Sequence, residues 1–419
     1  MAAHSLFFQI KKYFRRFWLS AFCGVLAGTS SSVFLFMLTW SKVTRESHPQ
    51  IIWGLPIIGL LIGWVYFKFG HTTGRGNNLI IDEIHDPKNV VPVRMAPFIL
   101  FGTFLTNLFG GSAGREGAAV QMAASLSDQL SHVFKIDSAE RKMLLVASAG
   151  AGFGSAISTP LAGVIFGMEM IGIGRLRFVA WFECLVASFV AFYVTRFLGA
   201  PHALFPKFDV PDFDTKTLAC IIVAGIFFGL ASRVFVHLTH LVERANARFI
   251  KYPPLMPFVA GIIIVFLYWL DGTYRYSGLG LQVIQGALSD PASLRDPALK
   301  AFFTALTVGS GFKGGEFIPL VYIGTTLGSA LATLLPISFK LLAAVGFAAV
   351  FGAAANTPIA CTIMAMEIFG ASIGIYAFVG CIVAYLCSGH RGIYKTQRVD
   401  GKKSDRLKFR LPIGPRKLR

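Results

Sequence analysis

The chain has 419 residues, 54% of them apolar and only 14% charged, with a formal net charge of +18. Soluble globular domains carry about a quarter charged residues, so this composition excludes an ordinary soluble enzyme and points to a chain that resides in lipid. On a soluble protein such a charge would suggest nucleic acid; here it gathers at the two ends, which argues for the bilayer and against nucleic acid as the partner.

A basic arm, 1–17, carries Lys11, Lys12, Arg15 and Arg16. The apolar stretch Phe17–Trp40 is followed by no small-residue cleavage site and reads as a retained helix. Further apolar stretches at Ile51–Phe67, Val93–Phe109, Leu144–Met170 and Phe178–Leu198 complete a membrane unit over 18–200. A linker rich in Pro and Asp occupies 201–217. The second unit, 218–388, holds Leu218–Phe235, Phe258–Leu270, Phe302–Val308, Phe317–Leu335, Leu341–Ala355 and Ile359–Leu386. Several stretches are near or below the roughly 17–25 residues of a straight span, so some are expected to cross incompletely. The tail, 389–419, is basic from Arg391 through Lys395, Arg398, Lys402, Lys403, Arg406, Lys408 and Arg410 to Arg416, Lys417 and Arg419. Basic flanks mark the cytoplasmic side. Both termini are therefore expected inside the cell membrane, with an even number of full crossings and the tail a solvated arm near anionic headgroups. The six cysteines lie in or beside apolar stretches without a CxxC pair, so neither a metal nor any other cofactor is expected.

The chain is internally duplicated. Residues 153–172 (FGSAISTPLAGVIFGMEMIG) match 351–370 (FGAAANTPIACTIMAMEIFG) in constant register through Phe153, Gly154, Thr159, Pro160, Met168, Glu169 and Gly172. Upstream, Gly111–Glu116 aligns with Gly311–Glu316, and 74–80 aligns loosely with 278–284. Duplicated membrane halves are a transporter signature, with substrate bound between the ends of broken helices. The Gly-rich loops GRGNN, GGSAGREG and GSGFKGG each lead into an apolar helix. Each offers free N–H donors and the positive end of a helix dipole to an anion. The expected fold is an all-α polytopic membrane protein of two inverted-topology repeats built from tilted and broken helices.

At these loops the chain resembles the CLC family of anion channels and proton-coupled anion exchangers. Gly114-Arg115-Glu116-Gly117 followed by Ala119-Val120-Gln121 is similar to the family's GREGP-x-VQ, whose glutamate is the gate. Gly314-Gly315-Glu316-Phe317-Ile318-Pro319 is similar to its GG-x-F-x-P, and Thr357-Pro358-Ile359 to the helix start at its NTP motif. The likeness spans about 18–395 and implies homodimers with a pathway in each subunit. Three departures resemble the fluoride-exporting, proton-exchanging branch: Asn77 in place of the serine of GSGIP, Ala118 in place of the proline of GREGP, and Glu316 in place of an aliphatic residue. Met170 stands where chloride exchangers carry a proton-relay glutamate, so that proton route is not expected. Ile318 departs from the fluoride branch, which often has threonine there.

The resemblance implies roles residue by residue. Glu116 is gate and proton carrier, with a helix cap as the structural alternative. Glu316 is a proton relay, or a fluoride donor when protonated, with the same alternative. Asn77 and Asn78 are amide donors to the anion or loop residues beside Gly76, and which of the two faces the ion stays open. Gly114 and Gly117 offer backbone N–H groups. Arg115 attracts anions or, the preferred reading, pairs with a carboxylate or loop carbonyls. Phe317 narrows the path, Ile318 lines it, and Tyr394 donates its hydroxyl at the inner end or belongs to an interfacial aromatic belt. Glu169 and Glu367 read as structural hydrogen-bonding groups. No GxSxG, HExxH or P-loop is present, so no enzyme is expected. The leading function is fluoride/proton antiport; the alternative is exchange or channel flow of chloride or another anion.

Overall fold

Lipid offers no partner to backbone N–H and C=O groups, so apolar segments that enter it fold as helices. A computed structural model describes residues 2–174, 178–399 and 401–403 of the chain. Among them three helical stretches are long and apolar enough to cross a membrane, Lys11–Ser47, Pro49–His85 and Thr215–Phe249. Shorter apolar helices include Met95–Leu108, Pro160–Glu169, Leu255–Asp271 and Phe317–Leu331, in keeping with the short stretches of the sequence. The helix Ala2–Ser47 runs without interruption through the basic arm. Arg15 on it pairs with Glu140 and Arg16 with Glu183. The helix Thr215–Phe249 is capped by Asp214, which accepts the Thr217 N–H at 2.9 Å. At about 1.5 Å per residue its length is roughly 50 Å, more than the ~30 Å hydrocarbon core, so it tilts or projects beyond it.

Two of the apolar stretches read as continuous are broken. Leu144–Met170 folds as Ser138–Ile157 and Pro160–Glu169, and its repeat partner as Phe339–Ala355 and Pro358–Phe369. Each break carries one left-handed residue, Ser158 (φ 67°) or Asn356 (φ 59°), directly before a Thr-Pro pair. Proline lacks the N–H to continue a helix but suits the first position of the next. The stretch Ile359–Leu386 is also divided, at Gly370, into Pro358–Phe369 and Gly374–Cys387.

The two halves cap each other. Glu367 of the second half accepts the N–H groups of Leu161 and Ala162 at 2.9 and 2.8 Å. Glu169 of the first half accepts those of Ile359 and Ala360 at 3.2 and 2.8 Å. Each carboxylate thus satisfies two orphan donors at the positive end of the other half's helix, the structural role read for both. The paired helices Phe317–Leu331 and Phe339–Ala355 meet where Gly324 and Gly346 face each other, so closely that a Cβ on either would lie 2.0–2.1 Å from the other's carbonyl oxygen. Small residues at such crossings let helices approach in lipid.

The tail differs from the solvated arm expected of it. Arg398–Val399 pairs in parallel with Gly172–Ile173, a two-stranded addition to an otherwise helical fold. The Gln397 amide donates to the Met170 and Ala355 carbonyls, both at 2.8 Å, and accepts from Asn356 Nδ2 at 2.9 Å. Lys403 is buried and donates to Tyr385 O and Ser388 Oγ. Its sequence is basic, but its polar groups satisfy carbonyls that the helix breaks leave open. Arg406, Lys408, Arg410, Arg416, Lys417 and Arg419 lie outside the described residues.

Candidate functional site

Two Gly-rich loops meet at the centre of the chain. Gly114 N donates to Gly315 O at 2.6 Å and Gly315 N to Gly114 O at 2.7 Å, a short antiparallel bridge. From it start the helices Glu116–Asp128 and Phe317–Leu331, neither of which has a side-chain N-cap. Only glycine fits at 315, since a Cβ there would lie 2.8 Å from Gly117 N. A third uncapped helix, Asn77–His85, begins beside them after Gly76, whose φ of 57° is strained for other residues.

These ends surround a cavity of about 370 Å³. It is lined by Gly76, Asn77, Asn78, Glu116, Gly117, Glu316, Phe317 and Tyr394 from the sequence reading. Asn77 and Asn78 separate clearly. Asn78 is engaged by Thr396: its Oδ1 accepts the Thr396 N–H at 3.3 Å and its carbonyl accepts the Thr396 hydroxyl at 3.1 Å. Asn77 Oδ1 is buried without a hydrogen-bond partner among the described residues, and its amide nitrogen lies beside Gly117. Asn77 therefore has the side chain whose carbonyl oxygen is unpartnered among the described residues, with its amide nitrogen facing Gly117.

Three expected lining residues sit elsewhere. Gly114 is consumed by the loop bridge. Ile318 is packed in the apolar core and is not among the residues that line the cavity. Arg115, 4% exposed, does not line the cavity. Its Nε donates to Glu116 Oε1 at 3.1 Å, and its backbone N–H to Oε2 at 3.2 Å, so it is the partner of a carboxylate. Glu316, the N-cap residue of its helix, makes no side-chain capping bond, whereas the Glu116 carboxylate accepts the backbone N–H of Arg115 at the start of its own helix.

Tyr394 reaches the cavity because the chain on both sides of it is tied down: Ile393 N donates to Ala354 O at 2.9 Å, and Thr396 is held by Asn78. It is buried, unlike a residue of an interfacial belt, and lines the same cavity as Glu316 and Glu116. Phe317 stands edge-on to Phe153 and Phe351, with centroids 5.3 and 4.6 Å away, and the repeat-related Phe153 and Phe351 stack at 5.9 Å. All three rings line the cavity, and ring edges carry partial positive charge.

Several lining residues escaped the sequence reading. Gln121 was noticed only as part of a motif, yet its amide flanks Gly76. Lys313, with its Nζ 4.1 Å from the Tyr66 ring centroid, has no ion-pair partner among the described residues. Glu243 and Lys395 pair with each other on the cavity wall. A buried network holds the Asn77 helix against the Glu116 helix: Arg141 Nε donates to Asp128 at 2.7 Å and Nη1 to Glu83 at 3.1 Å. In sequence, Lys313 stands inside a Gly-rich loop and Gln121 within the motif that follows Gly117. The others come from distant segments.

A family model described as "Voltage gated chloride channel" matches residues 58–389. A "Chloride/fluoride channel protein" of Pseudomonas syringae pv. tomato is 45% identical over 394 residues, covering 93% of this chain and 87% of that protein. An "H(+)/Cl(-) exchange transporter ClcA" of Vibrio cholerae is 26% identical over 291 residues, covering 65% of this chain and 62% of the relative. Among solved structures, a CLC-type fluoride/proton antiporter superposes with a TM-score of 0.89 at 33% identity, over 93% of this chain and 98% of that one. A slow cyanobacterial Cl-/H+ antiporter shares the fold, with a TM-score of 0.79 at 23% identity over 91% and 96%.

Proposed function

Because the chain belongs to the voltage-gated chloride channel family, the CLC proteins, we propose that it is a fluoride/proton antiporter exporting fluoride across the cell membrane. CLC proteins are multi-pass membrane transporters; this chain moves ions and catalyses no covalent chemistry. The observation that carries the reading is the convergence of Asn77, Glu116, Glu316 and Tyr394 on one cavity. Fluoride is small and holds its water tightly, so only close, strong donors compensate for its desolvation. The N–H groups of Gly117 and Phe317 at the helix starts, the Asn77 amide and the Tyr394 hydroxyl are such donors. As a carboxylate, Glu116 competes with the anion for these donors; protonated, it yields the place and carries a proton. Glu316, when protonated, donates to fluoride, and it passes protons toward the Glu243–Lys395 side of the cavity. No chloride-type second glutamate is needed, in keeping with Met170 after Glu169.

The working unit we propose is a homodimer with one pathway in each subunit and both termini in the cytoplasm. Its repeats occupy 18–200 and 218–388, joined by the linker 201–217, with the arm 1–17 and tail 389–419 on the cytoplasmic side. The test is flux from proteoliposomes: fluoride leaves and protons enter in a fixed ratio. A second reading, channel flow of fluoride or chloride, is favoured by the description of the Pseudomonas relative as a channel. Fluoride release without proton movement decides for it, and equal chloride flux removes the fluoride assignment.

A further inference from the structure

The internal repeat places a second cavity on the molecule, away from the one just described. The first cavity is walled by the 74–78 loop and by Thr239, His240 and Glu243 near the end of the helix Thr215–Phe249. The second, of about 600 Å³, is walled by the corresponding 279–283 segment and by Lys42, Arg45 and Glu46 near the end of Ala2–Ser47. It lacks any counterpart of Glu116 or Glu316 on its loop.

Its charge is unusual for a buried place. Arg45 is 8% exposed, and its guanidinium donates to the Asn107 carbonyl. Behind the same Gly278 turn, Lys300 is 0% exposed and donates to Tyr276 O and Gly278 O at 3.0 and 2.8 Å. Neither cation has a carboxylate partner among the described residues. The other charged groups at the cavity make no ion pair with either: Glu46, exposed and paired with Lys42, acts on Arg45 only at longer range, Arg275 is paired with Asp296, and Asp290 is exposed at the rim. Buried cations without a counter-charge are costly, and an anion relieves that cost. The Asn107 side chain, 2% exposed, also lines the cavity. Its Nδ2 donates to Thr103 O at 3.0 Å, while its Oδ1 has no hydrogen-bond partner among the described residues. A ligand satisfying both Arg45 and Asn107 presents negative oxygens to the first and an O–H to the second.

We propose that this cavity is a non-transporting binding site for a small oxyanion that carries its own hydrogen-bond donor, of the hydrogen phosphate class. A halide has no donor for Asn107, and with no titrating carboxylate on its loop the site has no gate to cycle. A phosphomonoester lipid headgroup, such as that of phosphatidate, offers the same chemistry as free phosphate, and the test separates the two.

The full-length protein in detergent, in fluoride-free buffer at constant ionic strength, is titrated with inorganic phosphate and separately with sulfate, which has no donor near neutral pH. The expected result is a saturable rise in unfolding temperature that phosphate produces at lower concentration than sulfate. Arg45→Gln should raise the half-saturating phosphate concentration at least tenfold. Because replacing a buried arginine costs folding stability, Gly286→Phe provides a second variant. It leaves Arg45 in place and adds bulk at a wall position where a Cβ meets no other atom within 4 Å. Glu116→Gln should leave the phosphate effect intact, so failure of the transport assignment does not touch this site. A rise in phosphatidate nanodiscs over phosphatidylcholine nanodiscs, absent with phosphate and lost in both variants, assigns the lipid headgroup as the source. No rise with phosphate, sulfate or phosphatidate, or a rise that persists in both variants, overturns the proposal.

Discussion

Gly114 and Gly315 exchange both of their backbone hydrogen bonds, at 2.6 and 2.7 Å, and so join the loop that carries Glu116 to the loop that carries Glu316. The two carboxylates stand on a shared backbone support although 200 residues separate them in sequence. A methyl group at 315 would press within 2.8 Å of Gly117 N. Gly315→Ala is therefore expected to destabilise the chain by about 1–3 kcal/mol and to lower fluoride flux in the protein that remains folded. Wild-type flux and unfolding temperature in this variant would show that the junction does not hold the site.

Glu116→Gln removes the titrating group but keeps its size. Proton uptake should vanish, and fluoride turnover should fall by about 10²-fold, the scale of a lost proton-transfer group. The measurement is paired fluoride and pH recording from the same liposomes. Unaltered coupled exchange would take Glu116 out of the mechanism.

Asn77 and Asn78 should part company on substitution. Asn77→Ser deletes the side-chain amide and is expected to shift the fluoride-to-chloride flux ratio toward chloride by about 1 kcal/mol, or roughly fivefold. Asn78→Ala deletes the Oδ1 contacts to the Thr396 N–H and hydroxyl; it should cost about 0.5–1.5 kcal/mol of stability and leave the ratio alone. Initial efflux rates for each ion from matched vesicles check both, and the opposite pattern would exchange their roles.

The reciprocal caps make a stability prediction that is independent of transport. Glu169→Ala and Glu367→Ala each strand two backbone donors, for an expected loss of about 1–3 kcal/mol apiece. Denaturation in a fixed detergent reads the loss. A changed anion ratio in either variant would mean that these glutamates belong to the pathway.

Lys313 lies on the cavity wall without an ion-pair partner among the described residues, whereas Arg115 pairs with Glu116, so Lys313 is the cation expected to attract the anion. Lys313→Met should slow fluoride flux most at low ionic strength, where the screening length is about 30 Å at 0.01 M, and much less at 1 M, where it is about 3 Å. Lys313→Arg should restore the rate. A salt-independent defect in the methionine variant would mark Lys313 as structural.

Much of this was legible in the sequence, because each part rests on local chemistry. Low charge and long apolar stretches determine that the chain lives in lipid. The Thr-Pro pairs and the repeated FG…TP…ME pattern determine a duplication and where its helices restart. The Gly-rich loops determine where backbone N–H groups are left free for an anion. What only the tertiary structure decided depends on which distant segments touch. Asn77 and Asn78 are the same residue type side by side, and only the docking of Thr396 distinguishes them. Arg115 and Lys313 are both cations in glycine loops; packing turns the first onto Glu116 and leaves the second on the cavity wall. The tail reads as a solvated basic arm by composition, yet Gln397 and Lys403 are drawn in by carbonyls that the helix breaks leave without donors. Charge and periodicity are written residue by residue, whereas the pairing of buried polar groups is settled only when the two halves close on each other.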